Sequence, residues 1–396
     1  MRRPRLEVAD ILRARGREYR MAHRGHLSLG QLKVMSAIER CRTAELGGHR
    51  LHCSKCETES IAYNSCRNRH CPKCQARAAE RWLERQRRDL LPIPYFHVVF
   101  TLPEALRAIA YQNKGIVYDL MFKCVADTLL TIAADPKHLG AKIGITAVLH
   151  TWGSSLVHHP HIHCIVTGGG LDQGRWIKCR PNFFLPVKVL GARFRNRFLR
   201  ALRAAHDKGE LKFFAEQRIL EDPGWLDEHL RPLRKIDWFV YAKRPFAGPS
   251  AVLTYLSRYT HRIAISNRRL VAFDEHGVTF RYKDYRNGKT RWKSMALKTD
   301  EFIRRFLQHV LPQGFHRIRH YGLFANAVRN NNLARARALL NAQPIERKTD
   351  NDASASEDSD DQPSIFTCRH CGAPMVVVEI LIPQHAPRAP PQRRAA

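Results

Sequence analysis

Residues 143–167, IGITAVLHTWGSSLVHHPHIHCIVT, decide the fold of the larger part of this chain. Apolar runs at residues 143–152 and 161–167 predict two strands, and the Gly- and Ser-containing stretch between them predicts a loop. Because the loop is short, we expect the two strands to pair as an antiparallel hairpin. The segment therefore predicts the centre of an antiparallel sheet.

Three histidines of this hairpin form a candidate metal site. Side chains along a strand alternate between its faces, so His161 and His163 share one face and Ile162 lies on the other. Pairing of the strands brings His150 to the same point, and three imidazoles on rigid strands leave a divalent metal open positions for substrate oxygens. The alternative is that these histidines are polar, outward-facing positions. Further imidazoles nearby are rivals for the third ligand or supports of the sheet: His158, His159 and His97.

Two tyrosines four residues apart are candidate nucleophiles. Tyr255 and Tyr259 fall in a helix predicted over residues 250–261, where this spacing places both phenols on one face. A phenolate can attack a phosphodiester when a metal polarises the phosphate and cations offset the charge. The alternative is a pair of core aromatic rings. Several cationic side chains accompany the pair: Arg258, His261, Arg262, Arg268 and Arg269.

Four cysteines near the N-terminus have the spacing of a zinc site. Cys53 and Cys56 form one Cys-x-x-Cys pair, and Cys71 and Cys74 form the next. Two such pairs can supply the tetrahedron of thiolates that Zn²⁺ prefers, and four protein ligands make the site structural because no position stays open. Spare ligands leave the choice of four open: Cys66, His52 and His70.

Composition divides the chain into three parts. Residues 1–91 are basic and predicted helical, and they carry the zinc site within a DNA-binding module. Residues 92–345 form the predicted catalytic domain. Residues 346–396 are predicted as an acidic, disordered linker followed by a tail. The tail contains Cys368 and Cys371, which lack a second pair and therefore make only half a zinc site.

An alternation of strands and helices follows residue 92. The predicted order is strand Tyr95–Leu102, helix through Ala134, strands Ile143–Trp152 and His161–Thr167, helix Val189–His206, strand Trp238–Ala242 and helix Ser250–His261. This β-α-β-β-α-β-α order predicts an α+β fold, an antiparallel sheet backed by helices. Asn287-Gly288 predicts a hairpin turn between two later strands.

The charge balance indicates a polyanionic partner. Among 396 residues, 67 Lys and Arg face 36 Asp and Glu, a formal net charge of +31. Repulsion of that size is usually offset by nucleic acid or an anionic membrane. No apolar run approaches the ~20 residues of a spanning helix, and no apolar core follows the basic N-terminus as in a signal peptide. We therefore expect a nucleic-acid-binding protein of the cytoplasm, with no membrane partner.

Four motifs, in order along residues 10–340, together resemble the two-tyrosine HUH transposases of the insertion sequence 91 type. They are Ser65-Cys-Arg-Asn-Arg-His-Cys-Pro-Lys-Cys74, Phe96-His-Val-Val-Phe-Thr-Leu-Pro103, His159-Pro-His-Ile-His163 and Tyr255-Leu-Ser-Arg-Tyr-Thr-His-Arg262. The resemblance implies an N-terminal zinc module that binds DNA at the ends of the element, followed by an HUH endonuclease domain. It also implies rolling-circle transposition on single-stranded DNA at element ends and target.

The resemblance assigns roles to the matched residues. His161 and His163 would bind Mg²⁺ or Mn²⁺, and His150 would complete a three-histidine site like that of conjugative relaxases. Tyr255 and Tyr259 would form 5′-phosphotyrosine links. Four arginines in the matched motifs would contact DNA: Arg67, Arg69, Arg258 and Arg262.

Three alternatives stay open at this point. A replication initiator or a relaxase would use the same chemistry. A non-catalytic zinc DNA-binding regulator would need the same charge, with structural His and Tyr residues. An RNA-binding protein is the third, since basic charge does not distinguish the nucleic acids.

Overall fold

A computed structural model describes residues 5–180, 184–243, 251, 263–284, 291–342 and 366–384. The helix predicted around Tyr255 and Tyr259, with Arg258 and Arg262, lies outside the described residues, as does the acidic stretch. Contacts divide the chain into two compact units. One is built on Glu7–Cys74 together with the C-terminal segment, and the other on the chain from Gln75 onward.

Helices and strands are numbered here in chain order. The helices are α1 (Val8–Ala22), α2 (Leu29–Arg40), α3 (Pro72–Arg88), α4 (Arg107–Gln112), α5 (Lys114–Ala134), α6 (Val187–Asp207), α7 (Pro223–Leu230), α8 (Thr299–Gln308) and α9 (Arg329–Leu339). The strands are β1 (Gly48–His52), β2 (Glu59–Tyr63), β3 (Tyr95–Thr101), β4 (Lys142–Trp152), β5 (His158–Asp172), β6 (Arg175–Lys178), β7 (Val240–Lys243), β8 (Leu270–Asp274), β9 (Gly277–Asp284), β10 (Arg291–Leu297), β11 (Ile318–Gly322), β12 (Phe366–Thr367) and β13 (Pro374–Leu381).

The N-terminal unit combines a helix pair with a small sheet. Helix α2 begins at a capping box, in which the Ser28 hydroxyl accepts from the Gln31 backbone N–H and the Gln31 side chain accepts from the Ser28 N–H. Helices α1 and α2 pack through buried apolar residues such as Leu12 and Ile38. The sheet has the strand order β12-β13-β1-β2, so the C-terminal strands are part of this unit.

This arrangement differs from the predicted division at residues 91 and 346. The C-terminal segment was predicted as a separate tail, but β13 pairs antiparallel with β1 from Gly48 to His52. Residues 75–91 were predicted with the N-terminal module, whereas their contacts group them with the unit that follows. Trp82 explains that grouping, because it packs with Tyr95 and Ile165 in the core of the second unit.

The second unit is built on an antiparallel sheet, which confirms the predicted α+β class. The strand order is β11-β4-β5-β3-β7, with β6 paired to β5. Along the chain its described elements follow as β3, α4, α5, β4, β5, β6, α6, α7 and β7, so β6 and α7 add to the predicted order, and the helix predicted next lies outside the described residues. Strand β11 was missed in the sequence, because its five residues, IRHYG, contain no apolar run.

The two faces of this sheet are covered differently. On one face, α5 and α6 pack on apolar side chains of the strands, with Phe100 and Phe194 in edge-to-face contact at 5.2 Å between ring centroids. Ile162 on this face is fully buried. On the other face, Trp82 and α9 pack on the end near Tyr95 and Ile165. The histidines occupy the opposite end of that face.

A three-stranded antiparallel sheet, β10-β9-β8, lies on α8. Phe280 of β9 and Phe302 of α8 are both buried, with ring centroids 5.9 Å apart. Arg291 pairs with Asp284, so β9 and β10 form the predicted hairpin, although Asn287-Gly288 itself lies outside the described residues. Across the described ranges, no helix has the length and apolar character needed to span a membrane.

Candidate metal centres

The three predicted histidines converge on one face of the central sheet. His150 on β4 lies directly opposite His161 on β5 in the strand register, and His163 follows two residues further along β5. Ring centroids are 5.3 Å apart for His150 and His161, 4.2 Å for His150 and His163, and 4.9 Å for His161 and His163. One ring nitrogen of each lies within 4.8 Å of the others, so a single ion can reach all three.

Hydrogen bonds orient two of these rings. The Nδ1–H of His161 donates to the His159 carbonyl over 2.7 Å, which leaves Nε2 of His161 as the lone-pair nitrogen. The Nδ1 of His163 lies 2.7 Å from Nε2 of His97. His97 on β3 was predicted only as a possible support of the sheet, and its contact shows that it orients a candidate ligand.

Burial keeps the imidazoles of His161 and His163 neutral. Desolvation, with a smaller repulsion from His159, lowers the pKa of His161 to about 4. Desolvation also holds the pKa of His163 well below its usual range, and the neighbouring His161 adds to the effect. A neutral imidazole offers its lone pair to a metal without first losing a proton. At neutral pH His161 and His163 therefore each have a lone pair free of a proton.

His158 and His159, predicted to lie in the loop, are the first residues of β5 and are not part of the cluster. His158 lies on the opposite face of β5, where its Nε2 is hydrogen-bonded to the Tyr118 hydroxyl at 2.8 Å. Its burial lowers its pKa to about 2, so it packs as a neutral core side chain. His159 contributes its carbonyl to His161, as described above. Of the candidates for the third position, His150 is the one whose ring nitrogen lies with those of His161 and His163.

The four cysteines predicted as one zinc site fall into two separate clusters, which corrects the predicted grouping. Cys71 and Cys74, at the start of α3, lie with Cys41 and Cys66. Sγ of Cys74 is 3.6 Å from Sγ of both Cys41 and Cys66. Cys41 directly follows α2, so this cluster joins the ends of two helices and the loop between the cysteine pairs. Arg67 and Arg69 are exposed in that loop.

Cys53 and Cys56 instead lie with the two C-terminal cysteines. Sγ of Cys53 is 3.5 Å from Sγ of Cys371, and Sγ of Cys56 is 3.6 Å from Sγ of Cys368. In each cluster all four sulfur atoms lie within 4.8 Å of one another. All of these cysteines are free thiols, with no disulfide between them.

Comparisons with known proteins identify a zinc-binding domain followed by a transposase domain. The Y2_Tnp family model, described as "Putative transposase", matches residues 144–332, and the Zn_Tnp_IS91 model, described as "Transposase zinc-binding domain", matches residues 11–102. The chain is 58% identical over 336 residues to "Putative transposase y4qJ" of Sinorhizobium fredii, with 84% of each chain covered. The chain belongs to the insertion sequence 91 family of transposases.

A second relative of this transposase is the "Transposase for insertion sequence element IS801" of Pseudomonas savastanoi pv. phaseolicola. It is 28% identical over 302 residues, which cover 75% of this chain and 71% of the relative. No solved structure shows significant similarity to the transposase. The match to the family zinc-binding domain gives the N-terminal unit a structural zinc, in agreement with the cysteine clusters.

The sequence pattern missed part of both clusters. Cys41 stands alone in the sequence, and Cys66 was only a spare ligand, yet both belong to the cluster of Cys71 and Cys74. An isolated cysteine has no spacing that marks it as a metal ligand, so only its position after α2 in the structure identifies Cys41 as a candidate ligand. Cys368 and Cys371 have the Cys-x-x-Cys spacing of zinc ligands, but the sequence shows no second pair beside them. In the structure the second pair is Cys53 and Cys56.

Proposed function

We propose that this transposase cleaves and rejoins single-stranded DNA through 5′-phosphotyrosine intermediates, in a rolling-circle type of transposition. The observation that carries the proposal is the convergence of His150, His161 and His163 on one face of the sheet. Three imidazoles from two strands make a site with open coordination positions. A purely structural metal would more often be enclosed by four protein ligands.

The donor set of this site suits a divalent cation that accepts nitrogen ligands. His150, His161 and His163 would hold the ion, and no carboxylate belongs to this cluster among the described residues. Of the two expected ions, Mn²⁺ therefore fits better than Mg²⁺, which prefers oxygen ligands. When bound, the ion would polarise the scissile phosphate. His97 would keep the ring of His163 in place.

Tyr255 and Tyr259 carry the covalent step in this proposal, on the strength of the sequence motif alone. The phenolate oxygen of one tyrosine attacks phosphorus and forms the O–P bond, and the bond to the 3′ oxygen breaks. The leaving strand keeps a 3′-OH after protonation, and attack by a 3′-OH on the phosphotyrosine reverses the step. The energy of the phosphodiester is retained in the tyrosyl link, so no nucleotide cofactor is required.

Arginines offset the phosphate charge in this scheme. Arg258 and Arg262, next to the tyrosines in sequence, would contact the scissile region. Arg67 and Arg69, exposed in the zinc-binding unit, would contact phosphates of element-end DNA. Together with a formal net charge of +31, these contacts predict binding that weakens steeply with salt.

The sheet of β8, β9 and β10 offers a surface for single-stranded DNA. Its buried face packs on α8, whereas Trp292 on the other face is 52% exposed. Lys283 lies opposite Trp292 in the register, and its Nζ is 5.3 Å from the Trp292 ring centroid. The guanidinium of Arg281 is 5.7 Å from the same centroid. An exposed indole flanked by two cations is suited to single-stranded DNA, because a base stacks on the ring while the cations neutralise the neighbouring phosphates.

Replacing this tryptophan is expected to weaken binding of single-stranded DNA. Loss of one stacking platform costs ~1–3 kcal/mol, so Trp292→Ala should raise the Kd about tenfold. Fluorescence anisotropy with a labelled oligonucleotide measures the change. Trp225→Ala is the matched control, because Trp225 is 55% exposed on α7. Equal affinities for the two variants would show that this sheet does not bind single-stranded DNA.

The test of the proposed function is covalent capture of DNA. The transposase is incubated with Mn²⁺ and a single strand that carries a hairpin end. We expect an adduct that resists denaturation, that EDTA prevents, and that the double variant Tyr255→Phe/Tyr259→Phe does not form. The control variant Tyr63→Phe/Tyr241→Phe changes two exposed tyrosines elsewhere and should keep the adduct.

Two outcomes contradict the proposal. An adduct that survives the double substitution at Tyr255 and Tyr259 would show that another residue is the nucleophile. Absence of an adduct on every single strand tested would favour a non-catalytic DNA-binding role for the chain.

A further inference from the structure

We propose that Cys53, Cys56, Cys368 and Cys371 bind a second structural Zn²⁺, which fastens the C-terminal segment to the N-terminal unit. The family zinc-binding domain ends at residue 102 and so cannot include the two C-terminal ligands. The inference concerns the architecture of the chain and does not depend on the chemistry proposed for the tyrosines.

The spacing of the four thiols matches a tetrahedral zinc site. Thiolates bind Zn²⁺ at ~2.3 Å, so two sulfur atoms at the corners of a tetrahedron lie ~3.8 Å apart. The sulfur pairs Cys53–Cys371 and Cys56–Cys368 are at 3.5 and 3.6 Å. Those distances are far longer than the ~2.05 Å of a disulfide.

Both cysteine pairs have the same backbone turn. In the first, the Cys53 carbonyl accepts from the Glu57 N–H at 2.8 Å, and the Cys53 N–H donates to the Thr58 carbonyl at 3.1 Å. In the second, the Cys368 carbonyl accepts from the Gly372 N–H at 2.9 Å, and the Cys368 N–H donates to the Ala373 carbonyl at 2.8 Å.

In both turns the residue just after the second cysteine has a left-handed backbone conformation. Glu57 has φ 54° and Gly372 has φ 75°. Glycine adopts this conformation freely, but for Glu57 it is strained, so surrounding structure must hold it there. Two turns of one geometry, each directing two thiols inward, are what a four-thiolate site requires.

Strand pairing brings the two turns together. The first turn links β1 to β2, and the second links β12 to β13. Because β1 pairs with β13, with His52 opposite Val376, the ends of the hairpins that carry the cysteines lie side by side. The result is a ribbon of two hairpins, closed at one end by thiols from positions 318 residues apart in sequence.

Apolar packing alone holds this ribbon weakly. Much of β13 is exposed, including Val376 at 56% and Ile380 at 70%. Leu51 of β1 is buried, but β2 is mostly exposed along its length. A small sheet with so little buried surface generally needs a cross-link, and zinc supplies one. The small number of buried apolar side chains is an independent reason to place a metal among the four thiols.

Metal content of the full-length transposase tests the inference. We expect two zinc ions per chain by mass spectrometry of the purified protein, measured with His161→Ala/His163→Ala present in every variant so that the histidine cluster adds no ion. The variant Cys368→Ser/Cys371→Ser should contain one. The matched control Cys124→Ser/Cys179→Ser also removes two cysteines, both outside the clusters, and should keep two. One zinc in the unaltered chain, or two in the Cys368→Ser/Cys371→Ser variant, would overturn the proposal.

A conservative variant separates ligation from a general loss of folding. Cys371→His retains a zinc ligand, so it should contain two ions and protect the C-terminal segment from limited proteolysis as the unaltered chain does. Cys371→Ser should lose one ion and that protection. If the histidine variant has no more zinc than the serine variant, Cys371 is not a ligand and the inference fails.

Discussion

Replacing His163 by alanine is expected to slow formation of the DNA adduct about a thousandfold. The imidazole is one of three nitrogen donors that converge within 4.8 Å, and loss of one donor should weaken both the binding and the orientation of the cation. Metal polarisation of a phosphate contributes several kcal/mol, and ~4 kcal/mol corresponds to roughly a thousandfold in rate. The adduct rate is measured at saturating DNA over a series of Mn²⁺ concentrations.

An exposed histidine provides the control for this experiment. His276 lies between β8 and β9 and its side chain is 87% exposed, so His276→Ala should react as the unaltered chain does. The Mn²⁺ concentration for half-maximal rate should rise in the His163 variant and stay constant in the control. Equal rates for both variants would show that the three-histidine cluster is not the metal site of the reaction.

The second large effect is expected at Cys41, which follows α2. Cys41→Ser should remove one zinc and unfold much of the N-terminal unit, because Cys41 is one of four thiols that join α2, the following loop and α3. Structural zinc contributes on the order of 10 kcal/mol to the folding of small zinc domains, and loss of a thiolate ligand forfeits much of it. Zinc content and the thermal transition followed by circular dichroism measure the two effects.

Cys179→Ser is the control for Cys41→Ser. Cys179 is half-buried and lies outside both clusters, so its substitution should leave the zinc content and the transition unchanged. If the Cys41 variant retains its full zinc content, Cys66, Cys71 and Cys74 must bind the ion with some other ligand.

Local sequence pattern was sufficient to predict that the three histidines lie together. His150, His161 and His163 lie on adjacent strands joined by a short loop, so the alternation of side chains and the hairpin fix their common face. The strands observed at 142–152 and 158–172 extend the predicted ones by a few residues. The role of His97 needed the structure, because β3 lies beside β5 only after a long connection.

The cysteines show where local pattern fails. Their spacing within each Cys-x-x-Cys pair predicted zinc ligands, and the family zinc-binding domain agrees with that interpretation. The same spacing fits any combination of pairs, however, and the sequence alone favours the nearest pairs as partners. In the structure Cys53 and Cys56 face Cys368 and Cys371, because β1 pairs with β13.

The sequence by itself determined the family, the antiparallel sheet and the face that carries the histidines, since these depend on motifs and on the period of a strand. Only the tertiary structure decided which cysteines lie together and where the C-terminal segment belongs. Pairing between distant strands depends on the packing of the whole unit, and no short stretch of residues encodes it.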